Sequence, residues 1–295
     1  MKKNIFNGIF PALITPFSEN GKLKENSLRE IIRFLIDVQK VDGLYVTGST
    51  GEFLLLSHDQ KKRILEIVAE EAKGKITLIA QIGNLNLSEV KSLARHAEKL
   101  KYDAISAITP YYYNFSFEEV KSYYNEISQA SNLPMFIYYL PQLAGGKVSL
   151  EQFSELLNIK NVIGSKYGST DLFFFERLIN KCKDKIFMFA YDEALGLGLS
   201  LGARGFIGST YNINTKGARE IITAYEKNDQ IKFKESIHKY NDYIQQVLKV
   251  GLMQTLKAVM REKGVDAGYN KKPFKFISKE DLKPIAQELI KKYNL

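Results

Sequence analysis

The sequence predicts an α/β fold, a (β/α)8 TIM barrel with a C-terminal helical extension. Short β-branched and aliphatic runs recur along the 295 residues, amphipathic stretches separate them, and the runs number eight, the strand number of this barrel. A chain of this length is compatible with one barrel or with two ordinary domains, so the strand count decides the architecture. The candidate strands are residues 8–15, 43–47, 76–82, 104–109, 135–140, 162–166, 187–191 and 205–209.

Capping boxes between the candidate strands mark where helices begin. Ser57, Ser116 and Ser149 are each followed, three residues on, by Gln or Glu, so that the two side chains satisfy each other's free backbone amides. In residues 27–38 the apolar side chains fall on one helical face, as a helix packed outside a barrel requires. We therefore expect helices to alternate with the strands.

After the eighth unit the chain carries three further helical stretches, at 232–250, 252–263 and 278–293. We assign residues 1–228 to the barrel and residues 229–295 to a C-terminal helical extension of the same domain. The βα repetition lacks a fixed sequence period, which disfavours a solenoid. The start of the chain, from Met1 to Asn4, carries two lysines and is followed by only a short apolar stretch without a cleavage site. We interpret it as a first strand and not as a signal peptide.

The composition is that of a soluble globular protein. Hydrophobic residues make up 45% and charged residues 25%, and no apolar run approaches the roughly 18 residues of a transmembrane helix. Cys182 is the only cysteine, which excludes an intrachain disulfide and indicates a reducing compartment, the cytoplasm. The net charge is +9, but lysines and acidic residues alternate, which disfavours nucleic-acid binding. A positive field can attract an anionic small substrate, although a solvated lysine-rich surface is the simpler explanation.

Chemistry in such a barrel lies at the carboxyl ends of the strands, which directs attention to the polar residues there. The second candidate strand is followed by Gly48-Ser49-Thr50-Gly51-Glu52. Glycines allow backbone amides to turn inward, and with two hydroxyls they can form a nest for a carboxylate or a phosphate. The same residues also make an ordinary loop, and the motif alone does not decide between the two interpretations.

Lys166 and Tyr138 end two neighbouring candidate strands. A lysine that points into a barrel mouth is partly desolvated, which lowers its pKa and provides a neutral amine able to attack a carbonyl. A phenol on the adjacent strand can exchange protons with intermediates on that amine. Taken singly, Lys166 is equally an exposed lysine at a strand end, and Tyr138 a packing residue among the 17 tyrosines.

Asp192 and Glu193 follow the seventh candidate strand, and Ser209 follows the eighth. Two carboxylates and a hydroxyl at adjacent strand ends suit a polyhydroxylated ligand, since carboxylates accept hydrogen bonds from sugar hydroxyls. The alternative interpretation is a helix N-cap. A metal site is disfavoured, because the carboxylate pair lacks further acidic partners and the three histidines, His58, His96 and His238, are scattered.

Together these motifs, in this order and over nearly the whole chain, resemble the pyruvate-dependent class I aldolase family that contains dihydrodipicolinate synthase and N-acetylneuraminate lyase. Each motif is weak alone, but the set is specific. The motifs that carry the resemblance are Gly48-Ser49-Thr50-Gly51-Glu52, Thr109-Pro110-Tyr111-Tyr112, Tyr138-Tyr139-Leu140-Pro141, Gly164-Ser165-Lys166, Tyr191-Asp192-Glu193 and Gly208-Ser209-Thr210-Tyr211-Asn212.

The resemblance implies a Schiff-base enzyme without a separate cofactor. It implies that Lys166 forms the imine with the substrate and that Tyr138 transfers the proton. Ser49 and Thr50 are implied to hold the pyruvate carboxylate. Tyr112 resembles a tyrosine that a neighbouring subunit lends to the site, and the family is typically tetrameric, so we expect a homotetramer.

On the lyase pattern of this family, further residues would hold a sugar chain and the substrate would be N-acetylneuraminate. The activity implied is cleavage to N-acetylmannosamine and pyruvate, a step of sialic acid degradation. Related 2-keto-3-deoxy sugar acids remain alternatives. So does dihydrodipicolinate synthesis, for which an arginine would be expected near Leu143. The implied sugar-binding residues are Gly168, Ala190, Asp192, Glu193 and Ser209.

Three positions depart from the lyase pattern. Gly168 stands where lyases commonly carry a hydroxyl residue, and Ala190 replaces a common glycine. Tyr139 replaces a frequent asparagine. A catalytically silent binding barrel is the alternative of a different class, but it would be expected to lose Lys166 or Tyr138, and both are present.

Overall fold

The computed structural model describes residues 5–144 and 146–295. Within them, eight parallel strands alternate with helices, which confirms the predicted TIM barrel. Met1 to Asn4, which we interpreted as the start of a first strand, lie outside the described residues. The strands are β1 (Gly8–Pro11), β2 (Gly43–Val46), β3 (Thr77–Gln81), β4 (Ala104–Ile108), β5 (Met135–Tyr139), β6 (Val162–Tyr167), β7 (Ile186–Phe189) and β8 (Gly205–Gly208).

The strand bounds differ from the prediction where backbone geometry intervenes. β1 stops at Pro11: the Ala12 amide still bonds the Gly208 carbonyl oxygen of β8 at 2.8 Å, but the Leu13 amide bonds the Tyr45 carbonyl oxygen of β2 at 2.9 Å and so leaves the β8 ladder. β2 stops at Val46, because Thr47 has a left-handed φ of 56°. β7 begins one residue early, at 186, and stops at 189, before a 3-10 turn at Asp192–Ala194.

The sheet order is β1-β8-β7-β6-β5-β4-β3-β2, in parallel register throughout. Its two outer strands also meet: the Asp42 amide donates to the Ile9 carbonyl oxygen at 3.0 Å, and Ala12 bridges Tyr45 in parallel. These contacts bring β1 beside β2 and bend the sheet into a barrel.

Side chains alternate between two hydrophobic layers. Tyr45, Phe136, Tyr138 and Met188 belong to a cluster inside the barrel, whereas the residues next to them in sequence pack outward against the helices. This period of two is the basic geometry of a strand. It decides which strand residues can reach the barrel mouth.

The three capping boxes are present as predicted. Ser57, Ser116 and Ser149 each accept a hydrogen bond from the backbone three residues on, and the returning side chain bonds the serine amide. The helices of the barrel are α1 (Glu25–Asp37), α2 (His58–Ala72), α3 (Leu87–Leu100), α4 (Phe117–Ala130), α5 (Leu150–Leu157), α6 (Leu172–Lys181), α7 (Leu195–Ser200) and α8 (Thr215–Glu226).

Three more helices follow the barrel: α9 (Gln230–Leu248), α10 (Leu252–Glu262) and α11 (Lys279–Tyr293). Their bounds agree with the predicted stretches to within two residues. The division of the chain between residues 228 and 229 stays a prediction. None of the helices in the described residues combines the length and the hydrophobicity needed to span a bilayer.

Gly164 allows β6 and β7 to approach closely, and its replacement should destabilise the barrel. A methyl group added at this position would lie 1.7 Å from the Ile186 carbonyl oxygen, which is backbone and cannot rotate away. We expect Gly164→Ala to lower the free energy of unfolding in urea by more than roughly 3 kcal/mol, the upper end of the usual cost of overpacking.

Gly74→Ala is the control, because its added methyl group meets no atom within 4 Å. It should cost only the strain of an alanine at a left-handed φ, about 1 kcal/mol. Equal urea midpoints for the two variants would contradict the packing argument.

Candidate active site

Lys166 and Tyr138 face each other across two adjacent strands. Their Cα atoms are partners in the β5–β6 ladder. Both residues are next to last in their strands, because Tyr139 and Tyr167 continue the strands with side chains that pack outward. The register therefore brings the amine and the phenol together at the barrel mouth.

Lys166 lies between two aromatic rings. The residue is 4% exposed, and its Nζ is 3.6 Å from the ring centroid of Tyr138 and 4.1 Å from that of Tyr45. Burial lowers the pKa of Lys166, while Tyr138 and the charge of Asp192 act in the opposite direction. The lowered pKa increases the fraction of neutral amine, the form that attacks a carbonyl.

Tyr45 is a member of the site that the sequence analysis did not identify. Its side chain points into the barrel from β2, and its hydroxyl lies 3.1 Å from Ser106 Oγ. A ring face attracts a positive charge at Nζ, whether on an ammonium or on an iminium. The alternation of side chains along β2 is the signal that points Tyr45 into the barrel. Its contact with Lys166 depends on the folded arrangement of the strands.

The 48–52 turn brings its two hydroxyls to the same mouth. Residues 49–51 form a 3-10 turn, in which Ser49 is exposed and Thr50 is buried. Ser49 Oγ is 3.5 Å from the Tyr138 hydroxyl, and Thr50 Oγ1 is 2.7 Å from Ser209 Oγ. Four of the residues predicted from the sequence thus meet in two hydroxyl–hydroxyl pairs.

The glycines of this turn serve close packing. A Cβ at Gly48 would lie 2.8 Å from the Tyr45 ring, and one at Gly51 would lie 2.9 Å from the Leu13 carbonyl oxygen. Neither glycine has a positive φ; the left-handed residues are Thr47 and Glu52 on either side. The turn is therefore pressed against the barrel interior, where only glycine fits.

Asp192 is buried, and one of its oxygens is committed to Thr210. Asp192 Oδ2 accepts hydrogen bonds from the Thr210 amide at 2.8 Å and from Thr210 Oγ1 at 2.6 Å. Burial raises the pKa of Asp192 to about 6, and the bonds from Thr210 oppose the rise. The carboxylate thus supports the 3-10 turn at 210–212 and not the amides of its own helix, as the N-cap alternative would require.

The other predicted sugar-binding positions lie at the ends of β6, β7 and β8. Glu193 is exposed, and Ser209 is half-buried. The amides of Gly168 and Ala190 donate to the carbonyl oxygens of Tyr139 at 2.7 Å and Tyr167 at 2.9 Å, so both extend the strand ladders. Their roles toward a ligand stay predictions.

The departures at positions 168 and 139 have different surroundings. A Cβ at Gly168 would lie 3.0 Å from Leu140 Cδ1, which is tight, and 3.5 Å from Tyr138 Cε2, which is ordinary van der Waals contact. Tyr139 instead faces the helices, with ring centroids 5.0 Å from Phe153 and 5.9 Å from Phe174. The tyrosine at 139 therefore affects packing outside the barrel and does not line the mouth.

Tyr112 projects away from the barrel. Its side chain is 87% exposed, its φ is 73°, and its ring packs edge to face with Tyr113 at 5.1 Å. The structure thus does not join Tyr112 to the hydroxyl contacts at the mouth. Within residues 5–144 and 146–295, no three His, Cys, Asp or Glu residues cluster so as to hold a metal ion.

Comparisons with known proteins show which family and which solved structures the chain resembles. The model of the dihydrodipicolinate synthetase family matches residues 5–292. The chain is 46% identical to N-acetylneuraminate lyase of Clostridium perfringens over 286 residues, 97% of this chain and 99% of that protein. Its fold superposes on the crystal structure of N-acetylneuraminate lyase from Mycoplasma synoviae with a TM-score of 0.96 and 59% identity, covering 99% of each chain. The lyase from Fusobacterium nucleatum complexed with pyruvate gives a TM-score of 0.91 and 43% identity, over 99% of this chain and 98% of that one.

The buried carboxyl of Asp192 should make stability depend on pH. Its pKa in the folded chain is raised from 3.8 to about 6, so its stabilising contribution is complete below pH 4 and is lost as the pH rises through 6. Asp192→Asn keeps an acceptor for Thr210 but does not titrate. Relative to the wild type, we expect the variant to gain about 2 kcal/mol in free energy of unfolding between pH 4 and pH 7.

Urea unfolding of both proteins at several pH values across this range measures the difference directly. A difference that stays constant with pH would show that the carboxyl titrates normally.

Proposed function

The chain belongs to the dihydrodipicolinate synthetase family, and on this premise we propose that it cleaves N-acetylneuraminate to N-acetylmannosamine and pyruvate. It is a carbon–carbon lyase, as its relatives are. The observation that carries the proposal is the desolvated Lys166, set across the β5–β6 ladder from Tyr138. The proposed place of the activity is sialic acid degradation in the cytoplasm.

In the proposed first step, the neutral Lys166 amine attacks the C2 ketone of open-chain N-acetylneuraminate. The departing hydroxyl takes the proton of the Tyr138 hydroxyl and leaves as water, so that a protonated imine forms between Nζ and C2 and Tyr138 is left as a phenolate. The positive charge at nitrogen draws electrons from the bond between C3 and C4. The ring faces of Tyr45 and Tyr138, 4.1 and 3.6 Å from Nζ at their centroids, support this charge without neutralising it.

In the second step, Tyr138 accepts the proton of the C4 hydroxyl as the bond between C3 and C4 breaks. The C4 oxygen becomes the aldehyde of N-acetylmannosamine, and the bonding electrons form an enamine on Lys166. Protonation of the enamine at C3 and hydrolysis of the imine release pyruvate and restore the amine. We assign the relay of this proton to Ser49, supported by its Oγ lying 3.5 Å from the Tyr138 hydroxyl.

The two ends of the substrate are assigned to different strand ends. We assign the substrate carboxylate to the hydroxyls of Ser49 and Thr50. Two contacts support this assignment: Ser49 Oγ meets the Tyr138 hydroxyl, and Thr50 Oγ1 meets Ser209 Oγ. The polyol chain is assigned to the β6, β7 and β8 ends. Asp192 contributes there through the oxygen that Thr210 does not use. The assigned residues are Gly168, Ala190, Asp192, Glu193 and Ser209.

We further propose a homotetramer in which Tyr112 of the partner subunit completes the site. The 87% exposure of Tyr112 in the single chain supports a contact made by a second copy. The proposed mechanism needs no cofactor, because the imine itself withdraws the electrons. Dihydrodipicolinate synthesis is not favoured: curated relatives at 45–46% identity are N-acetylneuraminate lyases, and the exposed Leu143 offers no charge to a second carboxylate.

Borohydride trapping tests the proposed imine. Borohydride added with pyruvate should reduce the imine to a stable amine, leave a covalent adduct on Lys166, and inactivate the enzyme. Lys166→Ala should abolish the adduct and the release of pyruvate from N-acetylneuraminate. Peptide mass mapping and a pyruvate assay measure the two results.

An adduct mapped to another lysine, or undiminished turnover in Lys166→Ala, would contradict the mechanism. Substrate choice is checked in the same assay with other 2-keto-3-deoxy sugar acids and with aspartate semialdehyde as an acceptor. Condensation with that aldehyde, without pyruvate release from N-acetylneuraminate, would identify a synthase instead.

Tyr138→Phe separates proton transfer from packing, because phenylalanine keeps almost all of the apolar surface. The kcat should fall by about 10²–10⁴-fold, the usual contribution of general acid–base catalysis. The melting temperature should stay near that of the wild type, and pyruvate should still be trapped on Lys166.

Tyr139→Phe is the matched control, since Tyr139 packs among Phe153, Tyr167 and Phe174 outside the barrel. It should leave kcat unchanged. Equal kcat values for the two variants would return Tyr138 to a packing role.

A further inference from the structure

A buried ion pair lies directly behind the 48–52 turn. Lys257 Nζ is 2.9 Å from Glu52 Oε1, and the two side chains are 1% and 0% exposed. A buried unpaired charge is strongly unfavourable, so each of these side chains needs the other as its partner. The two residues are 205 positions apart, and the pair therefore joins the end of the turn to α10 in the C-terminal extension.

The remaining hydrogen-bonding capacity of Glu52 is also directed at the extension. Asn270 Nδ2 donates to Oε1 at 2.7 Å, and the Lys271 amide donates to Oε2 at 2.7 Å. Lys257 donates a second bond, to the Tyr269 carbonyl oxygen at 2.6 Å. Three directional bonds to one carboxylate fix its orientation as well as its position. Residue 52 is thus held by α10 and by the segment that follows it.

The turn needs such support because its backbone is strained at both ends. Thr47 has φ 56° and Glu52 has φ 62°, in the left-handed region that residues other than glycine rarely adopt and that is least favourable for a β-branched residue such as Thr47. Thr47 is held by β3: its Oγ1 donates to the Gln81 carbonyl oxygen at 2.7 Å, and Gln81 Nε2 donates to the Thr47 carbonyl oxygen at 3.1 Å. Glu52 is held by the extension.

From this geometry we infer that Glu52 and Lys257 are positioning residues for the reaction. They keep the 48–52 turn in the conformation that presents the hydroxyls of Ser49 and Thr50 to the substrate carboxylate. The inference rests on the proposed function, from which the carboxylate-binding role of the turn comes. Both charged groups are buried, so the pair acts on the substrate only through the turn. The C-terminal extension thereby becomes part of the active-site scaffold.

Glu52→Gln tests the inference, because it keeps the shape of the side chain and removes the charge that orients three donors. The pyruvate concentration for half-maximal borohydride trapping, and the KM for N-acetylneuraminate, should each rise about tenfold. The kcat should stay within about twofold of the wild type, since neither residue touches the reacting atoms. Acetone, a ketone without a carboxylate, should be trapped equally by variant and wild type.

Lys24→Met is the matched control. Lys24 pairs with Asp266, a contact that also ties the extension to the barrel but does so at the residue before α1 and not at a residue of the 48–52 turn. Both the KM and the half-saturating pyruvate concentration should be unchanged. If Lys24→Met raises them as much as Glu52→Gln does, general loosening of the extension explains the effect and the inference is overturned.

The double variant Glu52→Gln/Lys257→Met provides a second measurement if the single variant folds poorly. It removes both charges at nearly constant volume, a replacement that folded proteins commonly tolerate. A raised half-saturating pyruvate concentration with unchanged acetone trapping supports the inference, and a normal one overturns it. A wild type that forms no adduct with pyruvate overturns the proposed function as well. If the wild type forms the adduct and the variants need the same half-saturating pyruvate concentration as the wild type, only the positioning role is overturned.

Discussion

The alternation of side chains along the strands of a closed parallel barrel is the constraint on which the rest of the structure depends. Each strand sends one residue inward and the next toward the helices, and the β5–β6 register sets Tyr138 opposite Lys166. A shift of one residue would turn both side chains outward, into the aromatic layer that Tyr139 and Tyr167 occupy. The candidate site is therefore a direct consequence of the register.

Burial inside the barrel exposes Lys166 to two opposing electrostatic effects. Desolvation favours the neutral amine, whereas the ring faces of Tyr45 and Tyr138 attract a positive charge at Nζ. In the proposed mechanism the nitrogen must first be neutral and then carry the charge of an imine. The ring faces serve both states, while a carboxylate in direct contact with Nζ would hold the nitrogen in its ammonium form. Asp192, the acidic side chain whose charge acts on Lys166, is bonded to Thr210.

Much of this arrangement could be predicted because it depends on local interactions. Strand count, capping boxes and the helices of the extension follow from propensity, from hydrophobic period and from bonds between residues three or four apart. The predicted strand ends were less accurate. No pattern among neighbouring residues indicates the left-handed φ of Thr47 or the turn of the chain toward β2 after Pro11. The family resemblance directed attention to Lys166 and Tyr138, which strand position alone could not have separated from ordinary packing residues.

By itself, the sequence determined the barrel, its helical extension and the strand ends at which polar residues gather, because these features are encoded over a few neighbouring residues. Only the tertiary structure decided that Tyr45 lies against Lys166, that Thr210 occupies one oxygen of Asp192, and that Lys257 pairs with Glu52. These contacts join residues between 18 and 205 positions apart. Strand register and the burial of charge determine which residues meet in these contacts. No pattern among neighbouring residues in the chain predicts either of them.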